Sequence, residues 1–171
     1  RIATIAVIGA SLSLTSISVE AASVLRKGQK AAVTGEITKI TKTEITIKPK
    51  TRDAETIPVN EVVRVRFDGE PAYLNPARSA EEKGQLEFAI ENYQKALSDI
   101  DAINTMLKGD TEYLIARTTA RMALADPAKR DEAIKKLEDF RKSNSESFRF
   151  YEALDFLAQV QLAKGDFDNS K

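Results

Sequence analysis

Three side chains that often carry chemistry are absent from this chain of 171 residues: cysteine, histidine and tryptophan. Without cysteine, neither a disulfide framework nor a thiolate metal site can form, so the fold must depend on packing. Without histidine, the chain lacks the usual general base near neutral pH and the commonest ligand for zinc, copper or iron. These absences predict a protein that is not an enzyme and that binds no cofactor and no metal, although a site built from carboxylates or lysines remains open.

An excess of charge of either sign is also missing, because 26 lysines and arginines balance 26 aspartates and glutamates. The balance hides a difference between two parts of the chain. Residues 24–68 carry ten basic and six acidic side chains, whereas residues 69–171 carry 15 basic and 19 acidic ones. This split indicates either two parts with different surfaces or the scatter of a few charges that small domains often show.

The N-terminal segment, residues 1–22, has the composition of a secretory signal peptide. Arg1 precedes an apolar run over residues 2–10, and Ala21 and Ala22 provide small residues at the spacing that a signal peptidase recognises. Serines and threonines interrupt the later part, so the segment is a poor match to the ~20 apolar residues of a transmembrane helix. We predict a cleaved signal peptide, with an uncleaved membrane anchor or a buried first element of the domain as alternatives.

Residues 24–68 alternate between apolar and polar side chains with the period of two that is typical of half-buried β-strands. Turn residues at 42–43, 49–54 and 60–61 divide the segment into four or five short antiparallel strands. The apolar positions are Val33, Gly35, Ile37, Ile45, Ile47, Ile57, Val59, Val63, Val65 and Phe67. The run of strands resembles the small barrels of the SH3-like and Sm-like kind, which implies a small antiparallel β-barrel-like module.

Sm-like barrels often bind RNA, so the resemblance points to an alternative function for this module. The cations that could serve it are Lys39, Lys42, Lys48, Lys50, Arg52, Arg64 and Arg66. Phe67, however, is the only aromatic residue of the segment and falls on its apolar face, so no platform for stacking bases is visible. Nucleic-acid or polyanion binding through the basic β module is therefore the alternative to be tested, and solvated strand faces explain the same cations.

From residue 71 onward the apolar period changes to three and four, which predicts amphipathic helices. Four apolar stripes begin at Leu86, Tyr113, Ala133 and Tyr151. Breaks between helices are predicted at Gly84, at residues 108–110, 126–127 and 143–147, and at Gly165. Asp110 and Asp126 are the predicted helix starts, since aspartate is a favoured residue at the beginning of a helix.

The helical part resembles tetratricopeptide repeats, in which pairs of antiparallel helices stack into a superhelix. The second helix of a repeat is matched by Gly84, Leu86, Ala89, Tyr93 and Ala96, and more loosely by Ala133, Leu137 and Phe140. A following first helix and the start of the next are matched by Leu154, Leu157, Ala158, Gly165 and Phe167. The resemblance implies an α+β chain in which an α-solenoid of antiparallel helix pairs over residues 71–171, truncated at the C-terminus, follows the β module of residues 24–68.

In that repeat family the concave groove is lined by exposed positions of the first helices, and protein or peptide partners lie in it. Carried onto this chain, the groove positions are Arg117 and Arg121 on one helix and Glu152, Asp155 and Gln159 on the next. The two arginines lie one turn apart on one face, a spacing that lets them hold the carboxylate of a partner. Alternatively, both pair with acidic side chains of the chain itself.

No arrangement of residues points to catalysis. Glu81 and Glu82 lie near a predicted helix end, as do Asp131 and Glu132, and all four are interpreted as solvated or dipole-favoured acids. The sequence therefore predicts an exported scaffold in the periplasm or cell envelope of a bacterium, which binds other proteins or peptides through a helical-repeat groove. It contacts a membrane only through the N-terminal segment, if that segment is retained.

Overall fold

The computed structural model describes residues 20–165, which form five antiparallel strands followed by five α-helices. The strands are β1 (Glu20–Arg26), β2 (Val33–Ile40), β3 (Glu44–Lys48), β4 (Glu55–Pro58) and β5 (Val62–Phe67). The helices are α1 (Leu74–Glu82), α2 (Leu86–Asp99), α3 (Thr105–Ala125), α4 (Arg130–Ser143) and α5 (Phe150–Lys164). Short 3-10 turns, Val59–Glu61 and Pro127–Lys129, precede β5 and α4. The predicted α+β class is confirmed.

The strands form one sheet in the order β4-β3-β2-β1-β5, in which all neighbours are antiparallel. Alternate side chains of each strand enter a common core, because successive residues point to opposite faces. The residues that are at most 1% exposed there are Val24, Ile37, Ile45, Ile47, Ile57 and Val65. The pattern of period two therefore predicted these buried positions, but it was wrong for Val63, which lies near the start of β5 and is 49% exposed. Since β4 and β5 are the two edges and do not pair with each other, the sheet is open and is not a closed barrel.

β1 begins at Glu20, inside the predicted N-terminal segment and before the predicted start of the β-rich part at residue 24. Ala22 is 2% exposed and lies opposite Gly35 of β2 and Phe67 of β5. Ala22 and Val24 thus continue the alternating pattern of the sheet. The sequence did not reveal this, because the small residues at this position are equally typical of a signal-peptidase site. The start of the sheet is corrected to Glu20, and residues 1–19 lie outside the described part of the chain.

Close backbone contact between β2 and β3 explains one glycine of the sheet. A Cβ atom on Gly35 would lie 2.3 Å from the carbonyl oxygen of Lys48, so no side chain fits at this position. The register between the two strands also shifts between Ile37 and Lys39, which marks a bulge. Bulges bend the strand that contains them and increase its twist. β2 is therefore bent, and its backbone lies close to the end of β3.

α1 and α2 are joined by a tight turn at Gly84, as predicted. Gly84 has a φ angle of +76°, a left-handed conformation that glycine adopts without strain. In α2, Ala89, Tyr93 and Ala96 are fully buried, so the predicted apolar stripe faces the neighbouring helices. The start of α1 at Leu74 rather than residue 76 extends the first helix by part of a turn.

α3 contradicts one predicted break, because residues 108–110 lie inside it. Gly109 is buried, and a Cβ atom there would lie 2.5 Å from Oδ1 of Asn144, the residue after α4. This glycine therefore allows two helices to approach closely and does not end one. Asp110 is not a helix start but a buried residue of the first turns of α3. α3 is buried along most of its length because α2, α4 and α5 all pack against it.

The remaining predicted breaks agree with the structure. Asp126 accepts a hydrogen bond from the backbone N of Ala128 at 2.9 Å and thereby caps the turn before α4. α4 ends at Ser143, within the predicted break at residues 143–147, and Gly165 ends α5 with a φ angle of +86°. Residues 166–171, including the predicted repeat start at Phe167, lie outside the described part.

The sheet and the helices contact each other on the side of α1 and at the beginning of α5. Nη2 of Arg64 in β5 lies 3.5 Å from Oε1 of Glu82 in α1. Nζ of Lys42 lies 3.5 Å from Oε1 of Glu146 and 4.5 Å from the ring centre of Phe150. These contacts leave a furrow between β5 and the helices.

Candidate functional site

The furrow consists of two adjoining clefts that share Val63, Arg117 and Arg149. The smaller cleft, about 440 Å³, is lined by β5 and by residues of α1, α3 and α5. The larger cleft, about 620 Å³, lies between loops of the sheet and the start of α5, where Lys27, Lys42 and neighbouring residues face it. Both volumes lie within the ~300–1,000 Å³ range of ligand-binding clefts. We therefore treat the furrow as the candidate site.

Glu81 is the central buried acid beside the smaller cleft. It lies near the end of α1 and is 2% exposed. Arg117 of α3 donates to its carboxylate twice, from Nε to Oε1 at 2.9 Å and from Nη2 to Oε2 at 2.7 Å. Arg121 donates from Nη1 to Oε1 at 3.1 Å, and the hydroxyl of Tyr93 in α2 donates to Oε2 at 2.8 Å. Three helices thus meet at one carboxylate.

The surroundings of Glu81 keep it ionised. Burial by itself would raise its pKa, but the hydrogen bonds and charge of Arg117, together with Tyr93 and Arg121, outweigh burial and hold the pKa of Glu81 below its ordinary value. Burial, followed by the negative charge of Glu81, raises the pKa of the Tyr93 hydroxyl. At neutral pH the cluster therefore contains two guanidinium groups, one carboxylate and a protonated tyrosine.

A second ionic cluster joins α3 to the start of α5. Arg149 donates from Nε to Oδ1 of Asp110 at 2.8 Å and from Nη1 to Oε2 of Glu152 at 2.9 Å. Asp110 is 2% exposed and Arg149 is 9% exposed, whereas the side chain of Glu152 is 42% exposed. Nη1 of Arg117 lies 3.9 Å from Oε1 of Glu152. Glu152 therefore links the second cluster to the first.

Tyr113 lies between the two clusters and contacts both arginines. The guanidinium carbons of Arg117 and Arg149 lie 5.5 Å and 5.1 Å from its ring centre. Its hydroxyl is buried and has no hydrogen-bond partner among residues 20–165. Burial, followed by the charge of Glu152, raises the pKa of this hydroxyl. The ring of Tyr113 thus contacts both arginines, although Tyr113 itself lines neither cleft.

The resolved pKa shifts of the two clusters keep Glu81, Tyr93, Tyr113, Arg117 and Arg149 in their ordinary protonation states at neutral pH. All pKa shifts resolved within residues 20–165 move groups away from neutral pH, since arginine, lysine and tyrosine values rise while those of Glu81 and Asp139 fall. General acid–base catalysis works best with a pKa near the working pH. Within the same residues, no group of three acidic side chains is placed to hold a metal ion.

The five predicted groove residues occupy three different settings. Arg117 and Arg121 do share one carboxylate, but that carboxylate belongs to the chain itself. Glu152 lines the larger cleft. Asp155 and Gln159 are exposed, are joined by a hydrogen bond of 2.9 Å between Nε2 and Oδ2, and line neither cleft of the furrow. The structure thus brings Arg117, Arg121 and Glu152 together and places Asp155 and Gln159 elsewhere.

The sequence interpretation of Glu81 as a solvated acid is wrong, because Glu81 is buried. Its position contained a signal, since Leu74, Ala77 and Glu81 recur on the buried face of α1 at the spacing of an apolar stripe. A carboxylate at a core position of a helix requires a buried partner. Asp110 and Arg149 were also missed, and their contact joins residues 39 positions apart, a separation similar to that between Glu81 and its two arginines.

Most cations of the predicted basic β surface have acidic partners. The ion pairs are Lys39–Glu44, Lys42–Glu146, Arg52–Glu55 and Arg64–Glu82. Lys48, Lys50 and Arg66 make no ion pair within residues 20–165. The positive charge that this surface presents to a polyanion is therefore smaller than the sequence implies.

Comparison with known proteins does not identify the furrow. The family models, the curated proteins and the solved structures give no match to this chain. No helix within residues 20–165 combines the length and the apolar character that crossing a bilayer requires.

Proposed function

We propose that the chain is a scaffold and not an enzyme, and that it holds a segment of another polypeptide in the furrow. The observation that carries this proposal is the pair of adjoining clefts, of about 440 and 620 Å³, with apolar side chains at their mouth. Val63 is 49% exposed and Tyr151 is 55% exposed there. Apolar side chains that remain exposed in a concave site are typical of binding surfaces.

The arrangement of the helices supports a tetratricopeptide-like groove. α1 packs against α2, α3 packs against α4, and α5 contacts both α3 and α4. If these pairs are repeats, then α1, α3 and α5 are the first helices, and the same three helices line the smaller cleft. In the family that the sequence resembles, first helices line the groove that receives the partner. On this proposal the furrow is the repeat groove, and β5 forms one of its walls.

The electrostatics of the furrow support binding over catalysis. The shifted pKa values, those of Glu81 and Tyr113 among them, lie further from neutral pH than the ordinary values. These groups therefore keep their ordinary protonation states at neutral pH. Such groups can attract and orient a charged partner, but they are poor acids and bases at neutral pH. The absence of histidine from the sequence points the same way.

We also propose export to the periplasm or cell envelope of a bacterium. The support is the N-terminal composition alone, an apolar run over residues 2–10 followed by Ala21 and Ala22. Because Ala22 is buried in β1, we expect cleavage before Ala22, which removes Glu20 and Ala21 from the pairing with β2 and keeps the pairs from Ala22 to Val24. Intact-mass measurement of the chain recovered from the periplasm tests this, and an uncut chain confined to the cytoplasm contradicts it.

Selection of phage-displayed random dodecapeptides on the immobilised full chain tests the binding function. Val63→Asp with Tyr151→Ser removes the apolar mouth of the furrow without changing a buried residue. The matched control, Phe88→Asp with Leu124→Ser, changes two apolar side chains that are 52% and 41% exposed and do not line the two clefts. We expect the selected peptides to bind the furrow variant roughly tenfold more weakly in fluorescence anisotropy, because the apolar contacts are lost.

The control variant should bind the same peptides as tightly as the original chain. Peptides that bind the furrow variant without loss would show that the binding site lies elsewhere. Failure to select any peptide contradicts the proposed function, provided that circular dichroism shows the immobilised chain to be folded.

Polyanion binding through the β module remains the alternative, and Lys48, Lys50 and Arg66 are the cations left for it. Its affinity for a labelled single-stranded oligonucleotide should fall steeply between low and moderate salt, because each neutralised phosphate releases counterions. An affinity that does not change with salt excludes this alternative.

A further inference from the structure

The larger cleft of the furrow has an excess of positive charge. Lys27, Lys42, Arg117 and Arg149 line it, against a single carboxylate from Glu152. Because Glu81 and Asp110 already pair with the two arginines, the excess comes from Lys27 and Lys42. Lys27 is exposed and makes no ion pair within residues 20–165, and the acidic partner of Lys42 is itself 75% exposed. A cleft lined mainly by one sign of charge concentrates the field and attracts the opposite sign. The lining of this cleft therefore complements an anionic group.

Glu152 shows where an anionic group fits. Its Oε2 accepts a hydrogen bond from Nη1 of Arg149 at 2.9 Å, and its Oε1 lies 3.9 Å from Nη1 of Arg117. Arginine recognises carboxylates well because its planar guanidinium presents several donors in a fixed geometry. The Glu152 side chain is 42% exposed, so it can leave the two arginines without the rearrangement that a buried residue would need.

Neither arginine depends on Glu152 to balance its charge. Arg149 keeps its hydrogen bond to Asp110, and Arg117 keeps both of its hydrogen bonds to Glu81. Displacing Glu152 therefore leaves no uncompensated buried charge, which is the costly part of breaking a buried pair.

We infer that the furrow takes an extended acidic peptide, and that one of its carboxylates binds between Arg117 and Arg149 in the place of Glu152. This inference rests on the proposed function and names the chemistry of the partner. The peptide needs apolar residues next to its aspartate or glutamate, because Val63 and Tyr151 are exposed at the mouth of the furrow. Since the two clefts adjoin at Val63, an extended chain can follow the furrow from one into the other.

The apolar wall favours a peptide over a small inorganic anion. An isolated anion would contact only the charged part of the larger cleft and would leave Val63 and Tyr151 exposed. A peptide covers both kinds of surface, and its apolar side chains add the area-dependent part of the affinity. The charged part then selects which peptides bind, because two arginines placed to hold a carboxylate bind a neutral side chain less well.

The test compares fluorescein-labelled peptides, taken from the selection described above, with twins in which every aspartate and glutamate is replaced by its amide. We expect the selected peptides to contain acidic residues and the amide twins to bind about tenfold more weakly, because a charge-assisted hydrogen bond is lost. Glu152→Gln removes the internal competitor and should strengthen binding of the acidic peptides by about threefold or more, with no gain for the twins. Asp155→Asn, which changes an exposed acid one turn further along α5, is the matched control and should change neither affinity.

The outcomes separate this inference from the proposed function. Twins that bind as tightly as their parents, or acidic peptides that gain nothing from Glu152→Gln, would overturn the carboxylate site while furrow-dependent binding stands. Peptides that bind Val63→Asp with Tyr151→Ser as well as the original chain would overturn both. A dimer that the selected peptides dissociate in light scattering would identify a second copy of this chain as the occupant, and it would also overturn the inference.

Discussion

The sheet and the helical unit, α1–α5, are held together by different interactions. The sheet core is apolar, and burying each of its isoleucines or valines contributes about 1.5–3 kcal/mol. The helical unit also has an apolar core, but it buries Glu81, Asp110 and Arg149 beside it. A buried ion pair contributes little to net stability, yet removing one partner is costly because the other charge remains in place.

This difference has a consequence for the furrow. Apolar side chains of similar volume can replace one another in a core with small changes in stability. Glu81, by contrast, has its hydrogen bonds only when α1, α2 and α3 are correctly placed, and Arg149 links α3 to the start of α5. We expect the buried charges to set the geometry of the helical wall, whereas the sheet supplies a stable opposite wall.

Glu81→Ala should have the largest effect on stability. It would show most clearly that the helical unit depends on a buried charge, which the core of the sheet does not contain. It leaves Arg117 and Arg121 without the carboxylate that they share and removes the acceptor of the Tyr93 hydroxyl. We expect a loss of about 3–5 kcal/mol in the free energy of unfolding, measured by urea denaturation of the full chain.

Glu82→Ala is the control for that change, because it removes the same side chain one position further along α1. The Glu82 side chain is 69% exposed and lies 3.5 Å from Arg64 at its nearest oxygen. An exposed pair of this kind contributes about 0–1 kcal/mol. If the two variants lost equal stability, the buried charge would have no special role, and the helical unit would depend on apolar burial as the sheet does.

Acidification should reproduce part of the Glu81→Ala loss. The pKa of Glu81 lies below its ordinary value in the folded chain, so as pH falls the unfolded chain takes up the proton first. The contribution of Glu81 is therefore complete above the unfolded pKa of about 4.3 and is lost as pH falls through the folded pKa. Urea midpoints of the original chain and of Glu81→Gln, measured from pH 7 to pH 3, should converge at low pH. A difference that stays constant over this range would show that the Glu81 charge does not contribute.

The two regions also differ in how well their sequences predicted them. In the sheet, the period-two pattern predicted the buried positions Ile45, Ile47 and Ile57. In a strand with one face toward solvent, every second side chain points into the core, so the apolar residues identify the buried face. Whether the sheet closes into a barrel was not predictable. β4 and β5 are consecutive in the chain, separated only by the 3-10 turn Val59–Glu61, and no local pattern shows that they lie unpaired at opposite edges of the sheet.

In the helical unit, sequence placed the helices but not the ionic clusters. Gly84 and Gly109 illustrate the limit, because one glycine ends α1 and the other lies inside α3, where it contacts Asn144. The spacing of Arg117 and Arg121 predicted that the two hold the carboxylate of a partner, whereas in the structure both pair with Glu81, as the alternative prediction had it. It could not show that the carboxylate is Glu81, because that contact joins residues 36 and 40 positions apart.

A pair of glycine-to-alanine changes, one in each region, should give the smallest effects and sharpen the comparison. Gly35→Ala places a methyl group 2.3 Å from the backbone oxygen of Lys48, which cannot move without shifting β3, so we expect a loss of about 1–3 kcal/mol. Gly109→Ala meets the side-chain oxygen of Asn144 at 2.5 Å, but that side chain can rotate. Because alanine also gains about 1 kcal/mol of helix propensity over glycine, the net change in urea denaturation should stay within about 1 kcal/mol. A larger loss from Gly109→Ala than from Gly35→Ala would mean that the helical unit tolerates an added methyl group less well than the sheet, which is the reverse of what their packing predicts.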